Sequence, residues 1–132
     1  MMLEYTIGKL SELTNCKIPT IRYYEQIEIL PKADRSEGNQ RRYTTVHLQR
    51  LNFVRHCRAL GFNLDEVRQL IHLQTCSHHN PHEAHLIAQQ HLVDVQDKIK
   101  KLQALSLELQ ELMKCCADGK AHNCQILNAL SE

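Results

Sequence analysis

Between Ala88 and Met113 the chain repeats core-type residues at alternating steps of four and three: Ala88, Leu92, Val95, Ile99, Leu102, Ser106, Leu109 and Met113. Such steps hold one narrow apolar seam along a helix, the pattern of a coiled coil. Ser106 interrupts the apolar run. Pro81, a residue favoured at the first helical position, marks the start. A helix from Pro81 to Met113 would be about 48 Å long at roughly 1.5 Å per residue. Cys76 stands before it, and Cys115, Cys116 and Cys124 stand after it. The two ends of such a helix cannot meet within one chain.

A metal ion or disulfide using Cys76 together with Cys115 or Cys124 therefore needs a second copy of the chain, running antiparallel so that its late cysteines lie beside the first chain's Cys76. A two-fold homodimer of this kind carries two composite sites. A parallel coiled coil, or a helix buried in a monomer with unrelated cysteines at its ends, also satisfies the pattern. The narrow seam suits a two-helix contact better than a globular core.

At 132 residues the chain is one or two small units, and its 42% hydrophobic content is ordinary for a soluble protein. No apolar run approaches the length of a membrane span. Residues 1–10 have no basic stretch leading into an apolar one, so no secretory signal is visible and the cytoplasm is the expected location. In that reducing setting six cysteines read as thiols or metal ligands rather than as a disulfide framework. The net charge of +1 conceals an asymmetry: residues 1–62 hold ten Lys/Arg against six Asp/Glu, and residues 63–132 hold six against nine. A basic first half points toward an anionic partner. There is no nucleophile–base pattern, phosphate loop or cofactor motif, so enzymatic activity has no support.

The basic half carries the pattern of a DNA-binding head. Ile7, Leu10 and Leu13 are spaced as one helix face, and Thr14-Asn15 supplies turn chemistry. A second helical stretch, from about Ile18 to Ile27, puts Ile21 on one face and Lys17, Arg22 and Tyr23 within reach of a partner. Two short helices joined by a tight turn form a helix-turn-helix, whose second member can lie in the DNA major groove. Leu30-Pro31 ends that helix. The run from Arg35 to Tyr43 then holds a Gly38-Asn39 turn between basic residues, the composition of a β-hairpin wing suited to phosphate contacts. A solvated surface loop is the plain alternative, but helix, turn, helix and basic hairpin stand in the right order.

Two linking helices follow. Thr44 or Thr45 can cap the first, whose apolar face is Leu48, Leu51, Val54 and Cys57 and which closes at Gly61. Asn63 with Glu66 makes a capping-box start for the second, faced by Val67, Leu70 and Ile71. On this reading, residues 1–75 are a winged helix-turn-helix DNA-binding domain with its linking helices. Residues 76–132 are a dimerisation helix and a metal-binding loop. The fold class is all-α with a small β-wing.

The motifs resemble the mercury-resistance-regulator (MerR) family of bacterial transcription factors over nearly the whole chain. The resemblance rests on Tyr5-Thr6-Ile7-Gly8-Lys9-Leu10, Thr20-Ile21-Arg22-Tyr23-Tyr24-Glu25, Leu30-Pro31 and Arg35 through Tyr43. It continues in Leu51-Asn52-Phe53-Val54-Arg55, Leu60-Gly61-Phe62 and Cys124-Gln125-Ile126-Leu127. It implies a winged helix-turn-helix head and an antiparallel coiled-coil dimer with effector pockets at its ends. It also implies a regulator that distorts over-long promoters so that RNA polymerase can engage both elements, a form of indirect readout. Lys17, Thr20, Arg22 and Tyr23 from the second helix, with Arg35, Arg41, Arg42 and Tyr43 from the wing, are the expected DNA contacts. Glu28 stands where members of the family usually have glycine.

Within the family, sensors of monovalent copper, silver or gold carry serine at the position of Cys76, whereas sensors of divalent ions carry cysteine. The chemistry agrees, because two thiolates can hold a soft monovalent ion while a divalent ion wants three or four ligands. The implied ligands are Cys76 of one subunit with Cys115, Cys116, His122 and Cys124 of the other. The Cys115-Cys116 pair with His122 resembles the zinc-sensing branch. Cys16 and the run Arg55-His56-Cys57 resemble the cadmium and lead branch. Imidazole beside thiolate favours zinc, with cadmium or lead next. Cys115 and Cys116 are adjacent, which leaves open a spectator role for one of them, and Cys57 and Cys16 also read as packing residues. His78, His79, His82 and His85 put four histidines in eight residues beside Cys76, either a solvated cluster or a second, weaker zinc site. A thiol redox sensor with the same head, pairing Cys76 with Cys115 or Cys124 of a partner, is the rival reading.

Overall fold

The computed structural model describes residues 3–75, 81–114 and 125–132. In chain order the elements are β1 (Glu4–Tyr5), α1 (Ile7–Thr14), α2 (Ile18–Gln26), β2 (Asp34–Arg35), β3 (Arg41–Thr44), α3 (Thr45–Ala59), α4 (Leu64–Thr75), α5 (Pro81–Lys114) and α6 (Gln125–Leu130). The chain divides into two compact units, residues 1–84 and 85–132.

Local chemistry sets the ends of the helices in the first unit. The Thr6 hydroxyl accepts from the Lys9 N–H at 3.2 Å and opens α1, and Asn15 closes it with a left-handed φ of 54°. Thr44, the first of the two threonines expected to cap α3, is its N-cap, and the His47 Nδ1 accepts from the Thr44 N–H at 3.0 Å. Asn63 and Glu66 exchange the two hydrogen bonds of a capping box at 2.8 and 2.9 Å.

Two helices end in the same six-residue stop. After α3, the Phe62 N–H reaches the Cys57 carbonyl and the Gly61 N–H reaches the Arg58 carbonyl, with Gly61 at φ 90°. After α2, the Ile29 N–H reaches the Tyr24 carbonyl at 3.0 Å and the Glu28 N–H reaches the Glu25 carbonyl at 3.1 Å. Both are Schellman motifs, whose pivotal residue must be left-handed. At the second stop that residue is Glu28, with φ 64°. The preference for glycine at this position thus has a direct backbone cause, which this chain overrides.

The wing is larger than a hairpin. β3 is the central strand of a three-stranded sheet of order β1-β3-β2, with Tyr5 opposite Tyr43 on one side and Arg35 opposite Arg41 on the other. In the β2–β3 turn the left-handed residue is Asn39, at φ 63°. Leu10, Ile21, Leu30, Tyr43 and Leu51, each at most 1% exposed, pack α1, α2, β3 and α3 about one core. Each such aliphatic side chain contributes about 1.5–3 kcal/mol relative to exposure. Val54, Cys57, Phe62, Val67 and Leu73 are buried along α3 and α4, so Cys57 is a packing residue as its place on the apolar stripe suggested.

α5, which lies in the second unit from His85 onward, has 34 residues, about 51 Å at 1.5 Å per residue. In the single chain its seam residues Leu92, Ile99, Leu102, Leu109 and Met113 are exposed, from 48% to 67%. Leu86, Val93, Leu105 and Leu107 add exposed apolar surface beside the seam. Among the described residues no helix is long and apolar enough to cross a membrane.

Candidate nucleic-acid interface

The second helix of the head, α2, opens at Lys17 without a side-chain cap and carries a proline in its first turn. Ile21 faces the core with no exposure, which turns Arg22 and Tyr23 outward. Tyr23 is 48% exposed, its ring 6.2 Å from that of Tyr24. Two clefts of about 450 and 570 Å³ lie between α2 and the wing, and Arg22, Arg35 and Arg41 line both. Lys32 joins the first cleft, and Thr6, Asn39 and Gln40 join the second. Three arginines from a helix and two strands thus converge on one concave surface.

Each wing arginine is placed by its strand. Arg35 donates from Nη1 to the Asn39 carbonyl at 3.3 Å and to its side-chain oxygen at 3.4 Å, which braces the guanidinium across the turn. Arg41 is its direct partner in the antiparallel register. Like charges placed opposite each other across a ladder destabilise a sheet. An anion between them removes that cost and adds charge-assisted hydrogen bonds. Arg42, expected with them, alternates to the other face of β3, where its register partner is Asp34, and it lines neither cleft. Lys17 is exposed at the start of α2 and Thr20 is half-buried one turn on; neither lines the clefts.

Tyr43 departs from the expectation of a DNA contact. It is 0% exposed, packs in the core, and donates its hydroxyl to the Glu25 carboxylate. Burial first, and the Glu25 carboxylate second, push its phenol well above the ordinary value. The alternation of β3 points Tyr43 inward, so the basic run that contains it does not make it a surface residue. Lys32 was missed because it sits past the helix stop, outside both the helix and the hairpin motif. Glu25 was missed because its partner is 18 positions away.

The same region contains a buried imidazole. The His47 Nδ1 accepts from the Thr44 N–H, so its Nε2 carries the proton and donates to the Pro31 carbonyl at 3.0 Å. Arg50 donates to the Ile29 carbonyl at 3.3 Å. Together they fasten the segment between α2 and the wing onto α3. Cys16, in the turn between α1 and α2, is half-buried; burial raises its thiol above the ordinary value, partly offset by Arg55.

The expected metal ligands Cys76, Cys115, Cys116, His122 and Cys124 lie outside the described residues, as do His78 and His79. His82 and His85 are exposed in the first turns of α5. Among the described residues no group of three or more His, Cys, Asp or Glu is arranged to hold a metal ion.

Residues 5–74 match the model of the MerR HTH family regulatory proteins, and residues 48–112 match the model described as MerR, DNA binding. The HTH-type transcriptional regulator ZntR of Escherichia coli is 39% identical over 132 residues, covering 97% of this chain and 93% of that protein. The mercuric resistance operon regulatory protein of Serratia marcescens is 34% identical over 84% of this chain and 76% of its own length. A transcription regulator from Ralstonia metallidurans, solved in complex with lead(II), superposes with a TM-score of 0.82 at 41% identity, covering 96% of this chain and 98% of that one. The chain belongs to the MerR family of helix-turn-helix regulatory proteins.

Proposed function

We propose that the chain is a homodimeric transcription regulator that binds promoter DNA, senses a divalent metal ion and activates a metal efflux or resistance promoter by distorting its DNA for RNA polymerase. The observation that carries the DNA half is the convergence of Arg22, Arg35 and Arg41 on the clefts between α2 and the wing. Arg22 and Tyr23 project from the recognition helix, with Lys17 and Thr20 at its start, and the wing arginines take phosphates. Residues 1–75 form the DNA-binding part, and residues 76–132 form the dimerisation helix and metal loop.

The exposed seam of α5 is the surface that a second, antiparallel chain would cover. That pairing would bring Cys76 of one subunit to Cys115, Cys116, His122 and Cys124 of the other. The donor set of thiolates with one imidazole suits a borderline divalent ion, zinc first and cadmium or lead next. Such an ion, when bound, supplies positive charge that draws the two subunits' ligands together. The histidines at 78, 79, 82 and 85 would add a weaker second site.

The test is competitive titration of the reduced protein with zinc, cadmium, lead and monovalent copper, followed by transcription from a promoter to which the protein binds. Tight divalent binding lost in Cys76→Ser, and promoter binding lost in Arg22→Ala, are expected. An oxidant-dependent response without metal binding would replace the metal reading with a thiol switch. Retention of DNA binding by Arg22→Ala would remove the recognition helix from its role.

A further inference from the structure

We propose that Lys32 is a phosphate-binding residue of the interface, a fourth cation that holds the DNA backbone where it passes between the recognition helix and the wing. The inference rests on the DNA-binding reading above. Lys32 belongs to neither the helix-turn-helix nor the hairpin, since it lies in the segment that joins α2 to β2. In space it lines the cleft of about 450 Å³ together with Arg22, Arg35 and Arg41.

The charge of that cleft is one-sided. Four cations line it against a single carboxylate, that of Glu25. One Glu25 oxygen accepts from the Tyr43 hydroxyl and the other from the Ala33 N–H at 3.5 Å, so both are occupied by donors of the protein itself. The ion pairs among the described residues, Lys9–Glu12 and Lys114–Glu111, take none of the four cations. A cleft lined by one sign of charge concentrates ligands of the other sign. A phosphate seated there accepts charge-assisted hydrogen bonds and screens the cations from one another.

A lysine in a connecting segment is a poor anchor if its backbone wanders, and here the backbone is tied on both sides. Ile29 and Leu30, each 1% exposed, are buried just before it, and Arg50 donates to the Ile29 carbonyl at 3.3 Å. Pro31 fixes its own φ. His47 donates from Nε2 to the Pro31 carbonyl at 3.0 Å and reaches the Lys32 carbonyl at 3.4 Å. Just after Lys32, the Ala33 N–H is held by Glu25. Side chains of α2 and α3 thus fix the backbone from 29 to 33, while the Lys32 side chain stays exposed. The segment is ordered by folding rather than by binding, which lowers the entropy lost on contact. The ammonium is a point charge without the arginine fork, so it positions the duplex and reads no base.

The probes are a duplex selected from a randomised pool by the wild-type full-length protein and a scrambled duplex of the same length and base composition. Affinities are measured by fluorescence anisotropy across a salt series. Lys32→Ala removes an exposed side chain and leaves every tether in place, so an unchanged urea midpoint is expected. Both duplexes should bind it about five- to tenfold more weakly, with the slope of log K against log salt lowered by about 1, one phosphate contact. The ratio between the two duplexes should stay at the wild-type value, and Lys32→Arg should keep the wild-type slope. Wild-type slope in Lys32→Ala, an equal fall in Lys32→Arg, or a loss confined to the selected duplex overturns the proposal. A second measurement needs no variant: reductive methylation read by mass spectrometry should show Lys32 protected by the selected duplex, and the exposed Lys98 of α5 unprotected. A duplex bound by the wild type with Lys32 still fully labelled overturns the role of Lys32 alone. A wild-type protein that selects no duplex overturns the DNA reading and the role of Lys32 with it.

Discussion

Replacing Glu28 with glycine should stabilise the head. Glu28 occupies the left-handed position of the stop after α2 at φ 64°, and both hydrogen bonds of that stop use backbone groups that the substitution leaves in place. A residue with a Cβ pays roughly 1–2 kcal/mol for this conformation. Glycine adds back about 0.5–1 kcal/mol of unfolded-chain entropy. The net gain is about 0.5–1 kcal/mol, since Glu28 is exposed and its side chain leaves no core void. With a urea m-value of roughly 1–3 kcal/mol/M, the midpoint should rise by about 0.2–1 M at unchanged m. Urea unfolding of the full chain followed by far-UV circular dichroism reads the shift directly. Glu28→Ala, which keeps the Cβ, should show little of the gain. Gly61→Ala, at the equivalent position after α3 with φ 90°, should lose about 1 kcal/mol or more. If Glu28→Ala stabilised as much as Glu28→Gly, side-chain charge rather than backbone strain would be the cause, and the argument would fail.

Other consequences are equally open to measurement. Cys16, Cys57, Tyr24 and Tyr43 all have acid groups raised above their ordinary values, 9.0 for the thiols and 10.0 for the phenols, with burial as the leading cause. Folding favours their protonated forms, so their contribution is complete below pH 9 and is lost as pH rises through the higher folded values; urea midpoints that hold steady to pH 11 would contradict this. Ile99→Glu places a carboxylate in the exposed seam of α5 and should weaken self-association about a hundredfold or more while leaving the head folded, as read by sedimentation. Mixing Cys76→Ser chains with Cys124→Ser chains should restore one metal site per heterodimer, and recovery of no binding at all would exclude the shared site.

Legibility in the sequence followed the range of the interactions. The start of α1 at Thr6, the Asn63–Glu66 box and the stop at Gly61 depend on neighbours within a few positions, so the residues announce them. The length of α5 was visible for the same reason: its seam repeats inside one helix. β1 was invisible, because two residues cannot display alternation and Glu4 and Tyr5 become a strand only by pairing with Thr44 and Tyr43. Tyr43 was misread because its neighbours, Arg41 and Arg42, speak for a charged surface, whereas its environment is set by Glu25 and the core. Glutamate at position 28 gives no sign of a left-handed turn; the carbonyls of Tyr24 and Glu25 impose it.

The sheet order has a kinetic meaning. Tyr5 and Tyr43 are partners in register, with the whole helix-turn-helix enclosed between them. Closing a loop of that length costs about 3 kcal/mol beyond a fixed offset, and the pairing of two short strands cannot meet it alone. The cost is met only when α1 and α2 have already shortened the path and supplied Leu10 and Ile21 for Tyr43 to pack upon. The three-stranded sheet therefore cannot form independently of the helices it encloses, and amides in α2 and β3 should open to exchange at one common free energy. The surface that grips DNA is either assembled whole or absent.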